Sequence, residues 1–293
     1  MEFYHLRSFV AVAKTGNLTQ AAKRLYTTPP AISAHIKALE EELSTALFIR
    51  SSKGMLLTDK GALLLKQAQL TLDSAVDLVN LAVDNLHEII GTFHMAINLT
   101  AKQVRLAELV ENLQENCAGI SLEVHQQSTG KTIREIREQQ LDGGYIFGGI
   151  PDDFFGFSVM DQQITTVAPV TFDPHEMLST AQLSKQQWIM MGDYCPFDGF
   201  LKKQLSPMLV DDIPTVLKTS DDGTRLELVK SGLGLSFLEL EEALEAEKKQ
   251  QVQVISTLDF STTLHFVVAK NRVDQPVISA MLQEIRVLWD IKL

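Results

Sequence analysis

"TTPPAISAHIKALEEEL", residues 27–43, places two prolines at the mouth of a stretch with helical spacing and ends it in three glutamates. Thr28 is a good N-cap, and Pro29 falls at the first helical position, where the missing N–H has no intrahelical partner to lose. Pro30 still lies in the first turn and also gives up no ladder bond. The double proline therefore starts a helix. At about 100° per residue, Ile32, Ile36, Leu39 and Leu43 gather on one side as a buried stripe. Pro30, Ser33, Ala34 and Lys37 gather on the opposite side, a slim face with one cation near its middle. Glu40, Glu41 and Glu42 read as a solvated helix end.

Upstream, Phe3, Leu6, Phe9, Val10 and Ala13 follow helical spacing until Gly16 stops the helix. Asn17 and Thr19 offer caps to a short second helix that buries Ala21, Ala22 and Leu25. Two short helices with a tight turn, the second presenting a slim N-terminal face, meet the needs of a helix-turn-helix entering a DNA major groove. Periodicity alone also fits a fragment of a plain helical bundle. Downstream, "LFIRSSKGMLLT" (47–58) reads strand, turn, strand. This small wing carries Arg50, Ser52 and Lys53, residue types suited to phosphate contacts.

A formal net charge of -11 argues against a nucleic-acid partner until its distribution is considered. Residues 1–65 hold eight Lys/Arg against five Asp/Glu, whereas the remainder holds 18 against 32. A mildly basic head on an acidic body makes whole-chain charge a poor guide. At 293 residues the chain suits two or three domains. Cys117 and Cys195 are too few for a disulfide framework, which fits a reducing compartment. The N-terminal apolar run is too short for a signal peptide, and no run approaches the roughly 18 apolar residues of a membrane span. A cytoplasmic protein with no membrane partner is expected.

The stretch from Phe9 to Leu65 resembles the winged helix-turn-helix of LysR-type transcriptional regulators. The resemblance rests on "FVAVA", "G-N-L-T-x-A-A-x-x-L", "P-A-I-S-x-x-I-K-x-L-E", "LF-x-R" and "LT-x-x-G", in that order. It implies that Thr19 and Ser33 contact phosphates, that Pro30 and Lys37 face bases, and that Arg50 grips the backbone from the wing. Two positions depart from the family pattern: Pro29 stands where a Gln is common, and Ala34 where an Arg is frequent. Both departures remove a group that reaches bases or phosphates, so affinity leans more on Lys37, Arg50 and Lys53. The expected DNA-contacting set is Thr19, Thr28, Pro30, Ser33, Lys37, Arg50, Ser52 and Lys53.

Thr58 caps a further helix expected to run to about His87. Leu65, Leu72, Val79 and Leu86 recur at heptad spacing, with Ala68, Ala75 and Ala82 three places on. The pattern fits either a seam between two chains or a long helix covering its own domain. The resemblance implies the former: a linker helix that pairs two subunits into a homodimer, with a homotetramer beyond it.

From Gly91 onward strand-like and helix-like segments alternate, which argues for α/β architecture with mainly parallel sheets. In such sheets ligands bind beyond the carboxyl ends of strands. Those ends carry Thr100, Ser128, Thr129, Thr219 and Ser220, hydroxyls that serve either as helix caps or as an effector site. The family resemblance implies a periplasmic-binding-protein-like effector domain of two subdomains with a cleft between them. The expected organisation is a winged helix-turn-helix over 1–58, a linker helix over 59–90 and an effector-binding domain over 91–293. Its subdomain I takes about 91–161 and 266–293, and its subdomain II about 162–265.

Cys195, in "MGDYCPFDGF", follows a buried strand at the start of a helix, where the dipole can lower a thiol pKa. The placement resembles the peroxide-sensing branch of the family, although no resolving cysteine follows. The alternative is a small, partly buried hydrophobe. Other chemistry is sparse. The seven histidines show no metal-ligand spacing, "GLGLSF" lacks a dinucleotide fingerprint, and "GGYIFGGIPDDFFG" reads as a strand end and loop. No nucleophile–base constellation is evident, so neither an enzyme nor a metal or cofactor is expected. The leading reading is a transcriptional regulator that binds double-stranded promoter DNA and answers to a small-molecule or oxidant signal. The rivals are an α/β solute-binding or enzyme-like protein with a helical appendage that does not read DNA, and a helical dimerisation module without DNA specificity.

Overall fold

The computed structural model describes residues 1–51, 54–83, 88–173, 175, 179–191, 195–205, 213–219 and 221–291. The chain divides into two compact units, Met1–Gly91 and Thr92–Leu293. Among the described residues no helix is long and apolar enough to cross a membrane.

In the first unit, α1 (Phe3–Thr15), α2 (Leu18–Arg24) and α3 (Pro29–Leu43) precede a hairpin of β1 (Phe48–Ser51) and β2 (Gly54–Leu57). Helix α4 (Asp59–Asn80) completes it. The caps are those the residue types call for: Asn17 Oδ1 accepts the N–H groups of Thr19 and Gln20, and Thr28 Oγ1 accepts that of Ala31. Phe9, Val12, Ala21, Ile32, Leu39 and Leu47 interlock in the core. The wing is pinned to the turn after α1 by a bond from Met55 N–H to the Gly16 carbonyl. Gly54, at φ +118, allows that approach, since a Cβ there would lie 2.4 Å from the Gly16 oxygen.

Several expectations for this unit change. Leu43 is 37% exposed, because α3 ends there and its side chain overhangs the core. Glu40 is no free helix end: its carboxylate accepts the N–H groups of Leu47 and Phe48 at 2.7 and 3.2 Å and so fixes the start of the wing. Glu41 lies 3.5 Å from Lys37 as an i,i+4 ion pair. The linker helix also ends earlier than expected, at Asn80. Asn80 is buried and clamps the backbone of Ile90, donating to its carbonyl and accepting its N–H. Leu65, Ala68 and Leu72 pack against the head's own core, so the first half of α4 covers its own unit. Val79 and Ala82 are exposed, Ala75 is half-buried, and Leu86 lies outside the described residues.

The rest of the chain begins with β3 (Gly91–Ile97), α5 (Leu106–Asn116), β4 (Ile120–Gln126), α6 (Thr129–Arg137) and β5 (Gly143–Phe147). It continues through β6 (Phe154–Pro169), α7 (Thr180–Leu183), β7 (Trp188–Met190), α8 (Pro196–Leu205) and β8 (Thr215–Lys218). Then come α9 (Asp222–Lys230), β9 (Ser236–Glu239), α10 (Leu240–Lys248), β10 (Val252–Ala269) and α11 (Pro276–Leu288). One sheet runs in the order β4-β3-β5-β10-β6-β9, and β7 pairs with β8 in a smaller parallel sheet. Strands β3 and β5 are parallel, but β10 is antiparallel to both β5 and β6, and β6 is antiparallel to β9. The sheet is therefore mixed and not mainly parallel, because two long strands run back through it.

The stretch 143–156, expected as a strand end and loop, is β5 to Phe147 and then loop, with β6 already begun at Phe154. Gly156 breaks its sequence pattern, yet the glycine is what lets β6 lie against β10. A Cβ there would come within 2.2 Å of the Phe266 carbonyl oxygen. Two apolar clusters flank the long strands. Ala96, Ile136, Leu141, Ile146, Phe154 and Val267 form one. Val167, Ile189, Val229, Leu238, Ala243 and Val252 belong to the other.

Candidate nucleic-acid interface and effector pocket

In the N-terminal unit the outer face of α3 is open as its periodicity predicts: Pro30, Ala34 and Lys37 are exposed and Ser33 is half-buried. Thr19 and Thr28 are exposed at the first turns of α2 and at the start of α3. Arg50 is exposed on the wing strand β1, while Ser52 and Lys53 lie outside the described residues. A helix with a narrow, polar N-terminal face beside a basic hairpin is the docking surface of a helix-turn-helix.

In the second unit a cavity of about 240 Å³ opens beyond the ends of β3 and β4. Ser128 and Thr129, at the start of α6, line it together with Asn98, Phe147, Phe237 and Arg225. Thr129 Oγ1 is held by the Phe147 N–H at 3.0 Å and the Asn98 amide at 3.3 Å. Ser128 is the N-cap of α6 but its side chain makes no capping bond. Among the described residues, none is a hydrogen-bond partner for the buried Asn98 Oδ1. Thr100 and Thr219 do not line the cavity. Their hydroxyls serve local turns: Thr100 donates to Gln103 at 2.7 Å, and Thr219 accepts the Asp221 N–H at 3.3 Å. Ser220 lies outside the described residues.

Arg225, only 4% exposed, was not legible as a site residue, because a polar-patterned helix hides which of its charges turns inward. Its Nη2 donates to the Phe237 carbonyl at 3.5 Å. The Thr224 hydroxyl and N–H hold the Asp221 carboxyl below its ordinary range, with Arg225 adding to the effect. Burial raises the Glu239 carboxyl on the same lining.

Cys195 also lines the cavity. The backbone N–H groups of Phe197 and Asp198 at the helix start do favour the thiolate, as expected, but a larger effect outweighs them. Burial pushes the Cys195 thiol up to about 11, and neighbouring Asp198 opposes the thiolate as well. Its Sγ lies 3.3 Å from Met191 Sδ, and Asp198, in the first turn of α8, accepts the Met191 N–H. Cys117 is fully buried and its thiol is likewise raised by burial. Among the described residues no group of three or more His, Cys, Asp or Glu is placed to hold a metal ion.

Residues 3–62 match the family model described as bacterial regulatory helix-turn-helix protein, lysR family, and residues 87–289 match the LysR substrate binding domain. The chain belongs to the LysR family. It is a DNA-binding transcriptional regulator with a C-terminal effector-binding domain, and LysR regulators are not enzymes. The rival readings of a solute-binding or enzyme-like protein, and of a bare dimerisation module, fall with that match. The HTH-type transcriptional regulator CysL of Bacillus subtilis is 24% identical over 289 residues, 95% of each chain. Full-length OxyR of Pseudomonas aeruginosa, solved as a point variant, superposes with a TM-score of 0.65 at 21% identity, covering 98% of this LysR chain and 95% of that one. Full-length CbnR complexed with its target DNA gives a TM-score of 0.63 at 17% identity, covering 98% and 99%. At those identities the two structures establish the fold: the winged head and the periplasmic-binding-protein-like α/β body of a LysR regulator.

Proposed function

We propose that this LysR regulator is controlled by a small carboxylate carrying a hydroxyl or amino group, and not by oxidation of Cys195. The observation that carries the reading is the buried Arg225 on the wall of the cavity. Its charge, the open first turn of α6 and the uncommitted Ser128 hydroxyl favour an anionic group. The buried Asn98 Oδ1 and the Glu239 carboxyl favour a hydrogen-bond donor, and Phe147, Phe197 and Phe237 favour an apolar body. The volume of about 240 Å³ holds roughly eight water-sized groups of ~30 Å³ each. The two apolar clusters support division of the domain into lobes of about 91–161 with 266–293, and about 162–265. On this reading the ligand bridges the lobes, with Ser128 and Thr129 on one and Arg225 and Cys195 on the other.

The test is a thermal-shift series with small hydroxy and amino acids against their neutral amides. The acids are expected to raise the melting temperature while the amides do not, and Arg225→Gln or Ser128→Ala is expected to reduce the shift. Equal stabilisation by the amides overturns the anionic reading.

For the head, the exposure of Thr19, Thr28 and Arg50 and the half-exposed Ser33 support phosphate contacts, with Pro30 and Lys37 facing bases; Ser52 and Lys53, outside the described residues, join the set on the family resemblance alone. Lys37 then exchanges its Glu41 partner for DNA. For assembly, the exposed Leu78, Val79, Leu81 and Ala82 support a homodimer through the last turns of α4 and the residues after it. The chain's fit to a cytoplasmic address rests on this DNA-binding role.

A further inference from the structure

The turn between α2 and α3 holds an exposed tyrosine in a conformation that favours glycine. Tyr26 has φ +51 and is 99% exposed. It occupies the C′ position of a Schellman motif: its N–H donates to the Lys23 carbonyl at 3.2 Å, and the Thr27 N–H donates to the Ala22 carbonyl at 2.9 Å. A Cβ is disfavoured at that φ, and an exposed aromatic ring gains no packing there in compensation. The other non-glycine residues at positive φ, Ser44, Arg105, Gln139, Gln250 and Asp290, are all polar. Tyr26 is the aromatic among them.

The surroundings indicate what it touches. Lys23, Arg24, Thr27 and Thr28 are all exposed around the turn. Among the described residues no ion pair or side-chain hydrogen bond engages Lys23, Arg24, Tyr26 or Thr27. The turn leads directly into the N-terminal end of α3, the end that enters the major groove, so it faces the strand bordering that groove. Lysine, arginine, tyrosine and threonine are the side chains that hold phosphates. A protein partner is disfavoured by this composition, since an interface core is depleted of lysine and uses tyrosine buried among apolar neighbours.

We propose that Tyr26 is a DNA-contacting residue whose hydroxyl donates a hydrogen bond to a backbone phosphate. Lys23 and Arg24 neutralise the phosphates beside it. The proposal rests on the DNA-binding reading of the head and adds a contact outside the set expected from sequence. Because the contact is neutral, it strengthens binding without releasing a counterion.

The experiment measures affinity of the full-length chain for a random-sequence DNA duplex of about four helical turns across a salt series. Calorimetric melting and sedimentation are run on the same samples. Tyr26→Phe is expected to weaken binding about three- to tenfold per head, with the slope of log affinity against log salt unchanged. Arg24→Ala is expected to make that slope shallower by about 1 per head. Tyr26→Gly is expected to melt a few degrees higher, about 4 °C, and yet bind DNA more weakly than wild type. Wild-type affinity in Tyr26→Phe and Tyr26→Gly overturns the proposal, as does a lower melting temperature in Tyr26→Gly. So does a change of sedimenting mass in place of DNA affinity, which would make Tyr26 a contact between chains. Failure of the wild-type chain itself to bind the duplex in a salt-dependent way would overturn the DNA reading as a whole.

Discussion

Cys195 shows how far one residue can be read before its surroundings are known. Its position after a strand and before a helix is legible, and the backbone N–H groups at that helix start do favour a thiolate. What the sequence could not supply was the burial and the closeness of Asp198 to the sulfur, which together disfavour a thiolate. The thiol is raised in the folded state, so its stabilising contribution is complete below the ordinary thiol range. That contribution is lost as pH rises from there toward about 11. Two outcomes follow. At pH 8 an alkylating reagent should modify Cys195 at least about tenfold more slowly than a free thiol. The Cys195→Ser variant should lose less stability than wild type between pH 9 and 11, as followed by urea melts at fixed pH. Rapid alkylation at pH 8 would restore the thiolate reading. The contrast with Pro29 and Pro30 is instructive. Their effect depends only on backbone donors within one turn, so sequence alone was enough to place the helix start.

Among elements, the long helix and the long strands were the hardest to bound, for opposite reasons. In α4 the heptad spacing is real, but only its first half packs on the head, and its last turns are exposed. Ala68 is buried in the head and Leu65 and Leu72 are half-buried against it, whereas Leu78 and Leu81 remain 72% and 71% exposed. A periodic stripe does not say which surface meets it, and the stop at Asn80 depends on a clamp to Ile90 that periodicity cannot reveal. In β6 and β10 the polar residues of the middle stretches diluted the strand pattern, although the pairing runs almost the whole length of both. The division of α4 gives distinct expected outcomes. Leu65→Ala should lower the stability of the N-terminal unit by about 1–2 kcal/mol without altering assembly, since the half-buried residue packs against the head's own core. Leu78→Glu combined with Val79→Glu should leave that unit folded but weaken dimerisation about 100-fold or more, seen as monomer in sedimentation equilibrium. Dissociation by Leu65→Ala at unchanged stability would reverse the assignment.

For the whole molecule the governing fact is that charge is partitioned between units with different tasks. The net charge of -11 is dominated by the body, yet on the proposed docking the head offers DNA the exposed cations Lys23, Arg24, Lys37 and Arg50, with Lys53, outside the described residues, as a fifth by expectation from sequence. Five cations per head and two heads per dimer set an upper limit near ten neutralised phosphates. Counterion release then gives a slope of log affinity against log salt no steeper than about −9. The acidic body pushes the observed slope the other way, because added salt also screens its repulsion from DNA. A full-length dimer is therefore expected to show a slope between about −4 and −9 on double-stranded DNA. Replacing Lys37 by Ala should remove about 2 from its magnitude only if Lys37 neutralises phosphates. If Lys37 faces a base instead, the slope should hold while discrimination at one base pair falls by about 1–3 kcal/mol. A slope near zero for the wild-type dimer would mean that the basic head does not reach the phosphate backbone, and the docking geometry inferred from α3 and the wing would fail with it.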